Sequence, residues 1–298
     1  WAHNDFKAQL FARQLAMSLK TVHIPVFPSI ETCWHYDDKV AQKYLFESVN
    51  APLVPSYVFY DEETATDWAR TTDYPKIWKL RGGAGSENVR LIRSTAQSIR
   101  HIRRSFRSGY HGWSRYHPLK ERLYNFKLKK NLASFLAISR GIARIFIPRP
   151  NYLLAPVEKN YVYFQDFIPG NDYDIRIIVI GERAFGIKRL VRKGDFRASG
   201  SGRLVYDPDQ ILLDCVRLAL DFTQKINSQC AGYDFVFDQG TPRIIEVTYG
   251  FSPEAYRLCP GYWDNDLKWH EGKFNCEWFM IEDFIKICLS NKRELNAL

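Results

Sequence analysis

Three groups of residues in this 298-residue sequence have the types and spacing to do chemistry. Lys79, Gly82, Gly83, Gly85 and Ser86 fall together after the apolar run Ile77-Trp78. Glycines let backbone N–H groups approach an anion closely, and a lysine adds a point charge. The spacing is neither that of a Walker A loop nor that of a dinucleotide fingerprint; an ordinary glycine-rich hairpin turn has the same look. Asp234 and Glu246 form the second group, set among Phe235, Val236, Phe237, Ile244, Ile245 and Val247. Carboxylates brought together there would be hard oxygen ligands for Mg²⁺, or else sheet residues facing water. The third group is Asp174 and Arg176, followed by Lys188, Arg189, Arg192, Lys193 and Arg197. Cations beside two carboxylates suit a phosphate and its metal, and equally a salt-bridged solvent face.

These residues need elements to hold them. The apolar spacing predicts helices over 5–20 and after Asp37-Asp38, with one of those acids as N-cap. The Pro-punctuated run 22–30 reads as strand and loop. Further strands are expected at 54–61, 76–80 and 161–168, and a hairpin about Gly181-Glu182 covers 174–191. A helix spans 209–226, and a turn at Gln239–Pro242 joins two strands that carry Asp234 and Glu246. A closing helix follows Cys276, and Trp263, Trp269, Trp278 and Phe279 read as core. Antiparallel pairs mixed with helices argue an α+β fold.

The net charge of +9 is uneven. Residues 100–149 carry 13 Lys or Arg against the single acid Glu121, a net +12, which leaves the rest of the chain at −3. Arg100, Arg103, Arg104 and Arg107 fall on one helical stripe. Lys127, Lys129, Lys130, Arg140 and Arg144 alternate with apolar residues from Leu128 to Phe146. Such a segment suits an anionic membrane surface, RNA through its interleaved Tyr110, Trp113 and Tyr116, or a helical insertion packed on its own domain. No apolar run is long enough for a membrane span, and no signal peptide is visible. Six widely spaced cysteines without a metal-like pattern read as reduced packing residues of a cytoplasmic protein, either free or peripheral at the inner membrane face.

In this order, from Asp37 to Pro253, the three groups resemble the ATP-grasp superfamily of ATP-dependent carboxylate–amine ligases. The likeness is closest to the ribosomal-protein glutamate ligase branch. It implies two α+β subdomains clasping ATP, with a basic helical insertion and a truncated N-terminal subdomain. Residues 1–36 would be the N-terminal remnant. Residues 37–164 would be the first subdomain, including lid loop 80–88 and insertion 97–150, and 165–298 the second, with the metal site and C-terminal helix.

The resemblance also implies roles. Lys39 and Lys79 would contact phosphates beneath a lid of Gly82, Gly83, Gly85 and Ser86. Gln165, Asp166, Phe167 and Ile168 would frame the adenine, and Asp174 would sit near the ribose. Arg189 and Arg197 would face phosphate and the substrate carboxylate as catalytic residues. Asp234, Glu246 and Thr248 would hold Mg²⁺; Thr248 stands where the family has Asn, and Ser199 where its substrate-side loop has Asn. The expected reaction joins a small-molecule, glycan or peptide carboxylate to an amine through an acylphosphate. The alternatives are a membrane-surface or RNA-binding protein on this scaffold, a lipid-linked substrate held by 100–149, and an ATP-grasp kinase without ligation.

Overall fold

A computed structural model describes residues 6–83, 88–112, 117–147, 157–191, 198, 202–273 and 275–296. The chain divides into two compact units, one holding Leu10–Ser56 and Asp166–Leu298, the other Tyr57–Gln165.

Three helices come first: α1 (Phe6–Thr21), the one-turn α2 (Ile30–Cys33) and α3 (Lys39–Ser48). The Asp38 carboxylate accepts from the Ala41 N–H at 3.0 Å and so caps α3. The strand expected within 22–30 does not form. Pro25 and Pro28 remove two backbone donors from this stretch, which disfavours a ladder. The side chain of Gln229 serves the backbone instead, accepting from Ser29 N–H at 2.7 Å and donating to the Val26 carbonyl at 3.0 Å.

The middle of the chain forms the second unit. Its elements are β1 (Ser56–Phe59), α4 (Glu62–Thr71), β2 (Lys76–Lys79), β3 (Val89–Ile92), α5 (Thr95–Phe106), β4 (Tyr110–His111), α6 (His117–Lys129), α7 (Leu132–Phe146), β5 (Val157–Glu158) and β6 (Val162–Asp166). Four of the strands make a sheet in the order β1-β6-β2-β3. Trp78, Leu80, Ile92 and Phe164 pack from it against Ala65 and Ala69 of α4 and Ile102 of α5. The small residues on α4 let the helix lie close to the sheet. Within the segment expected to be an insertion, α6 and α7 form a hairpin, and Gly141 allows close approach. A Cβ there would lie 3.1 Å from Leu119 Cα.

The first unit is built on β7 (Tyr173–Ile180), β8 (Arg183–Leu190), β9 (Leu204–Val205), α8 (Leu213–Lys225), β10 (Cys230–Asp238), β11 (Thr241–Thr248), β12 (Gly261–Trp263), β13 (Trp269–Glu271) and α9 (Cys276–Asn296). The sheet order is β11-β10-β7-β8-β12-β13, with β9 on β8. Ile175, Ile177, Val179, Tyr233 and Phe235 face Val216, Ala219 and Leu220 of α8. The opposite face packs Ile178, Ile180 and Phe185 against Cys276, Phe279 and Met280 of α9. Phe46 of α3 joins the first of these cores. Trp263 is buried as expected, whereas Trp278 is 61% exposed on the outer side of α9.

The β10–β11 hairpin departs from its expected geometry in an instructive way. Its turn is two residues, Gln239 and Gly240, both at positive φ (49° and 84°), and not four. Such a turn matches the twist of the strands it joins. Continued regularly, it would put Ile245 opposite Asp234. A register shift between Asp234 and Phe235 instead pairs Asp234 with Glu246 and Phe235 with Ile244. One extra residue on β11 therefore selects which side chain meets Asp234.

Candidate active site

Strand alternation separates the charged from the apolar positions of the main sheet. On the face opposite α8, Ile178, Ile180, Phe185 and Ile187 fill one end. Asp174 and Arg176 continue the same alternation on β7, as Arg189 does on β8. Across the strands Asp174 pairs with Arg189, Arg176 with Asp234, and Asp234 with Glu246. All five side chains therefore share one face.

Their contacts form a closed, nearly buried tetrad. Arg176 donates to Asp234 from Nε at 2.5 Å and from Nη2 at 2.6 Å. Arg189 donates to Asp174 through Nε and Nη2, both at 2.6 Å, and its Nη2 lies 2.8 Å from Asp234 Oδ2. Two forked guanidinium–carboxylate pairs sharing one carboxylate leave the group neutral. Burial would raise the Asp234 pKa, but Arg176 and Arg189 outweigh it and hold the carboxyl well below the usual carboxylate range. Asp174 goes the other way: burial, reinforced by the Asp234 charge, raises it despite Arg189. Tyr256, buried on a short 3₁₀ turn, lies beside Arg176 and completes the enclosure. Its place, outside every motif, gave no signal in the sequence.

Lys39, the first residue of α3, is buried beside this row. Its Nζ lies 3.4 Å from Glu246 Oε1 and 4.0 Å from Asp37 Oδ1. Burial pushes the ammonium pKa down, yet the two carboxylates outweigh it and raise the net value. The Glu246 side chain is 32% exposed, the most open of the charged set. Thr248 Oγ1 is engaged locally, accepting from Gly250 N–H at 3.1 Å and donating to the Gly250 carbonyl at 3.2 Å.

Arg189, expected to face phosphate and the substrate carboxylate, pairs with Asp174 and Asp234. Of the expected metal set Asp234, Glu246 and Thr248, Asp234 accepts from arginines at both oxygens and Glu246 is the more open carboxylate. Among the described residues no group of three His, Cys, Asp or Glu side chains converges on a cation position.

In the second unit, Lys79 at the end of β2 donates from Nζ to Gln165 Oε1 on β6 at 2.6 Å, and both side chains are buried. The loop beyond β2 is tied at its base. The Arg81 N–H donates to Tyr161 Oη at 2.7 Å, and Tyr161 in turn donates to Glu158 Oε2 at 2.8 Å. Gly83 sits at φ 118°, and Asn88 donates from Nδ2 to the Gly112 carbonyl at 2.8 Å. Gly82 precedes Gly83 in the described part of the loop. Gly85, Ser86, Arg197 and Ser199 lie outside the described residues.

The segment after Gln165 belongs with the first unit. Asp166 donates its N–H to the Pro55 carbonyl at 2.9 Å. Beyond Phe167 and Ile168, Asn171 clamps the chain to β10, accepting from Phe237 N–H at 2.8 Å and donating to its carbonyl at 3.1 Å. Sequence spacing gave no signal for Tyr161 or Asn171, since both act on backbone groups distant in the chain.

A family model described as a RimK-like ATP-grasp domain matches residues 141–254, the stretch that carries the tetrad and Glu246. Residues 141–254 thus resemble an ATP-grasp domain. The fold of the chain is shared with the D-alanine–D-alanine ligase from Coxiella burnetii, at 10% identity and TM-score 0.53 over 98% of this chain and 68% of that one. It is shared too with the ATP-grasp ligase PsnB complexed with a minimal precursor, at 13% identity and TM-score 0.53 over 95% and 73%. PsnB with a phosphomimetic variant of that precursor, Mg and ADP gives 12% identity and TM-score 0.53 over 94% and 68%. The chain spans about half the length of two biotin carboxylase structures that it also matches, 46% and 47%. No curated protein matches it.

Proposed function

We propose that this protein is an ATP-dependent carboxylate–amine ligase. One observation carries the reading. Within the segment that matches the RimK-like family, Asp174, Arg189, Asp234 and Glu246 converge on one face of one sheet, with Lys39 beside them.

In this reading Lys39 and Lys79 bind ATP phosphates as point charges, and the glycine loop after β2 supplies backbone N–H donors. A substrate carboxylate oxygen attacks the γ-phosphorus, the bond to the bridging oxygen breaks, and ADP leaves. An amine nitrogen then attacks the acylphosphate carbonyl carbon. Phosphate departs, the nitrogen loses a proton, and an amide remains. Catalysis of this kind rests on positioning and on charge placed where charge develops, with no side-chain nucleophile. Stabilising that charge falls to Lys39, Lys79 and Arg197, while Arg189 holds Asp174 and Asp234 in place. A magnesium ion carries no step in this reading, because both Asp234 oxygens already serve arginines.

The names of two similar proteins, a D-alanine–D-alanine ligase and an ATP-grasp ligase bound to a precursor, support ligation in general terms; the small-molecule, glycan or peptide identity of the carboxylate is left to the assay. That assay is ADP release across a panel of carboxylates and amines, with product mass measured. ADP release that requires both partners and yields an amide is the expected result. ADP release with one acceptor and a stable phosphorylated product would make the protein a kinase. Absence of ATP binding by calorimetry would overturn the reading altogether.

A further inference from the structure

The α6–α7 hairpin is built inside out. The positions of α7 turned toward the protein are Ser134, Ala137, Ile138, Gly141 and Ile145, mostly small. The opposite half of the helix presents Leu132, Phe135, Leu136, Ile142 and Phe146 to solvent, with Ile147 at its end. Leu132 is 73% exposed and Phe146 79% exposed. An apolar stripe on a helix ordinarily faces the core. Here the residues with most to gain from burial are the ones left in water, and they are contiguous.

Charge borders that stripe. From His117 to Ile147 the sequence carries seven Lys or Arg and one acid, Glu121. Of these cations Lys120, Lys127, Lys130 and Arg140 are exposed. Arg100, Arg103 and Arg104 on α5 are exposed as well. An apolar outer stripe on α9, made of Trp278, Ile281, Ile285 and Leu289, has a different border: Glu277, Glu282 and Asp283 share its helix. The α7 stripe, by contrast with that of α9, joins exposed hydrophobic residues to a surplus of positive charge.

We propose that the α6–α7 hairpin docks on an anionic lipid bilayer. α7 lies in the interfacial plane, its outward Leu and Phe side chains enter the acyl boundary, and the flanking Lys and Arg meet headgroup phosphates. The two contributions answer to different physics. Buried apolar area supplies a salt-independent part, and each cation near the surface adds a part that salt screens. Nucleic acid would use the cations and leave Leu132, Phe135, Leu136 and Phe146 in water, so it accounts for half of the feature. The inference is independent of the ligase reading.

Co-sedimentation with vesicles tests it, using phosphatidylcholine alone and phosphatidylcholine mixed with phosphatidylglycerol, across a salt series. The intact protein should pellet with the anionic vesicles. The double variant Phe135→Ser/Phe146→Ser should lose about a hundredfold in partitioning, since each ring forfeits its burial. The double variant Lys127→Glu/Arg140→Glu should lose binding most at low salt. Both pairs are exposed, and an unchanged melting temperature confirms that each variant folds. An RNA gel shift runs alongside. The proposal falls if the protein pellets with neither vesicle. It falls equally if binding ignores the phenylalanine substitutions, or if RNA is bound while vesicles are not.

Discussion

Asp234 and Glu246 stand directly opposite each other on β10 and β11, yet they serve different cations. Asp234 is buried and gripped by Arg176 and Arg189, whereas Glu246 is partly open and lies 3.4 Å from the Lys39 ammonium. A pair that looks symmetrical in register is therefore split by its neighbours. One carboxylate holds the sheet's arginines in place; the other remains available beside a lysine.

That split separates stability from turnover. Asp234→Asn leaves two guanidinium groups buried with half their partner gone, and breaking a buried pair costs about 3–5 kcal/mol. Glu246→Gln leaves the buried Lys39 ammonium facing Asp37 at 4.0 Å and should cost less than Asp234→Asn, about 1–3 kcal/mol. Urea unfolding midpoints should therefore drop further for Asp234→Asn than for Glu246→Gln. ADP release should be lost in Glu246→Gln under conditions where the variant remains folded.

Acid should act through the same tetrad. The native Asp234 carboxyl has a depressed pKa, so the unfolded chain binds that proton more tightly. Its contribution is complete above the ordinary carboxylate value of about 4 and is lost as pH falls below it. Asp174, raised by burial, works in the opposite sense, favouring the folded state as pH falls. Asp234→Asn should flatten the acid limb of the stability curve, measured by urea midpoints from neutral pH downward. An acid limb as steep as the parent's would show that the tetrad does not govern it.

Lys79 makes a cleaner probe of nucleotide binding than any residue of the tetrad. Its Nζ donates to a neutral amide, Gln165, at 2.6 Å, and so lies outside the network of buried arginine–carboxylate pairs. Lys79→Met should weaken ATP binding by about tenfold or more, the loss of one charge-assisted contact. Its melting temperature without nucleotide should hold close to that of the parent. Calorimetric titration and a thermal melt on the same preparation decide the matter.

Tyr161 offers a test at the base of the loop. Replacing it with Phe removes one hydroxyl that both accepts from Arg81 N–H and donates to Glu158. The expected cost is about 1 kcal/mol in stability. If this tie presets the glycine loop, KM for ATP rises more than kcat falls.

Much of the fold can be read from the sequence because it depends on local pattern. Asp38 caps α3 where an acid precedes an apolar-periodic run, and β2 is buried throughout, as Lys76–Lys79 before a glycine loop predicts. The ordered motifs point to the ATP-grasp fold for the same reason: each is a short string on one element. The site itself resists such reading. Alternation says that Asp174 and Arg176 share a face, but only the strand order says that β10 and β8 lie on either side of them. Neutralisation of Arg189 by Asp174 and Asp234 follows from that order. The β-bulge after Asp234 is invisible to residue counting. The outward stripe of α7 escapes pattern analysis too, since periodicity gives the width of an apolar face and not its direction.

The tight Gln239–Gly240 turn has a consequence for the order of folding. β10 and β11 are neighbours in sequence, so their hairpin closes with little loss of chain entropy and can form early. If the hairpin closes first, Asp234 and Glu246 meet before Arg176, 58 residues away along the chain, is in place. The nascent hairpin thus carries two facing carboxylates with no cation between them, and like charges opposite one another oppose pairing. Refolding should quicken as pH falls toward the carboxylate range, even while the native state loses stability there. In this chain the acid that weakens the finished structure would ease its assembly.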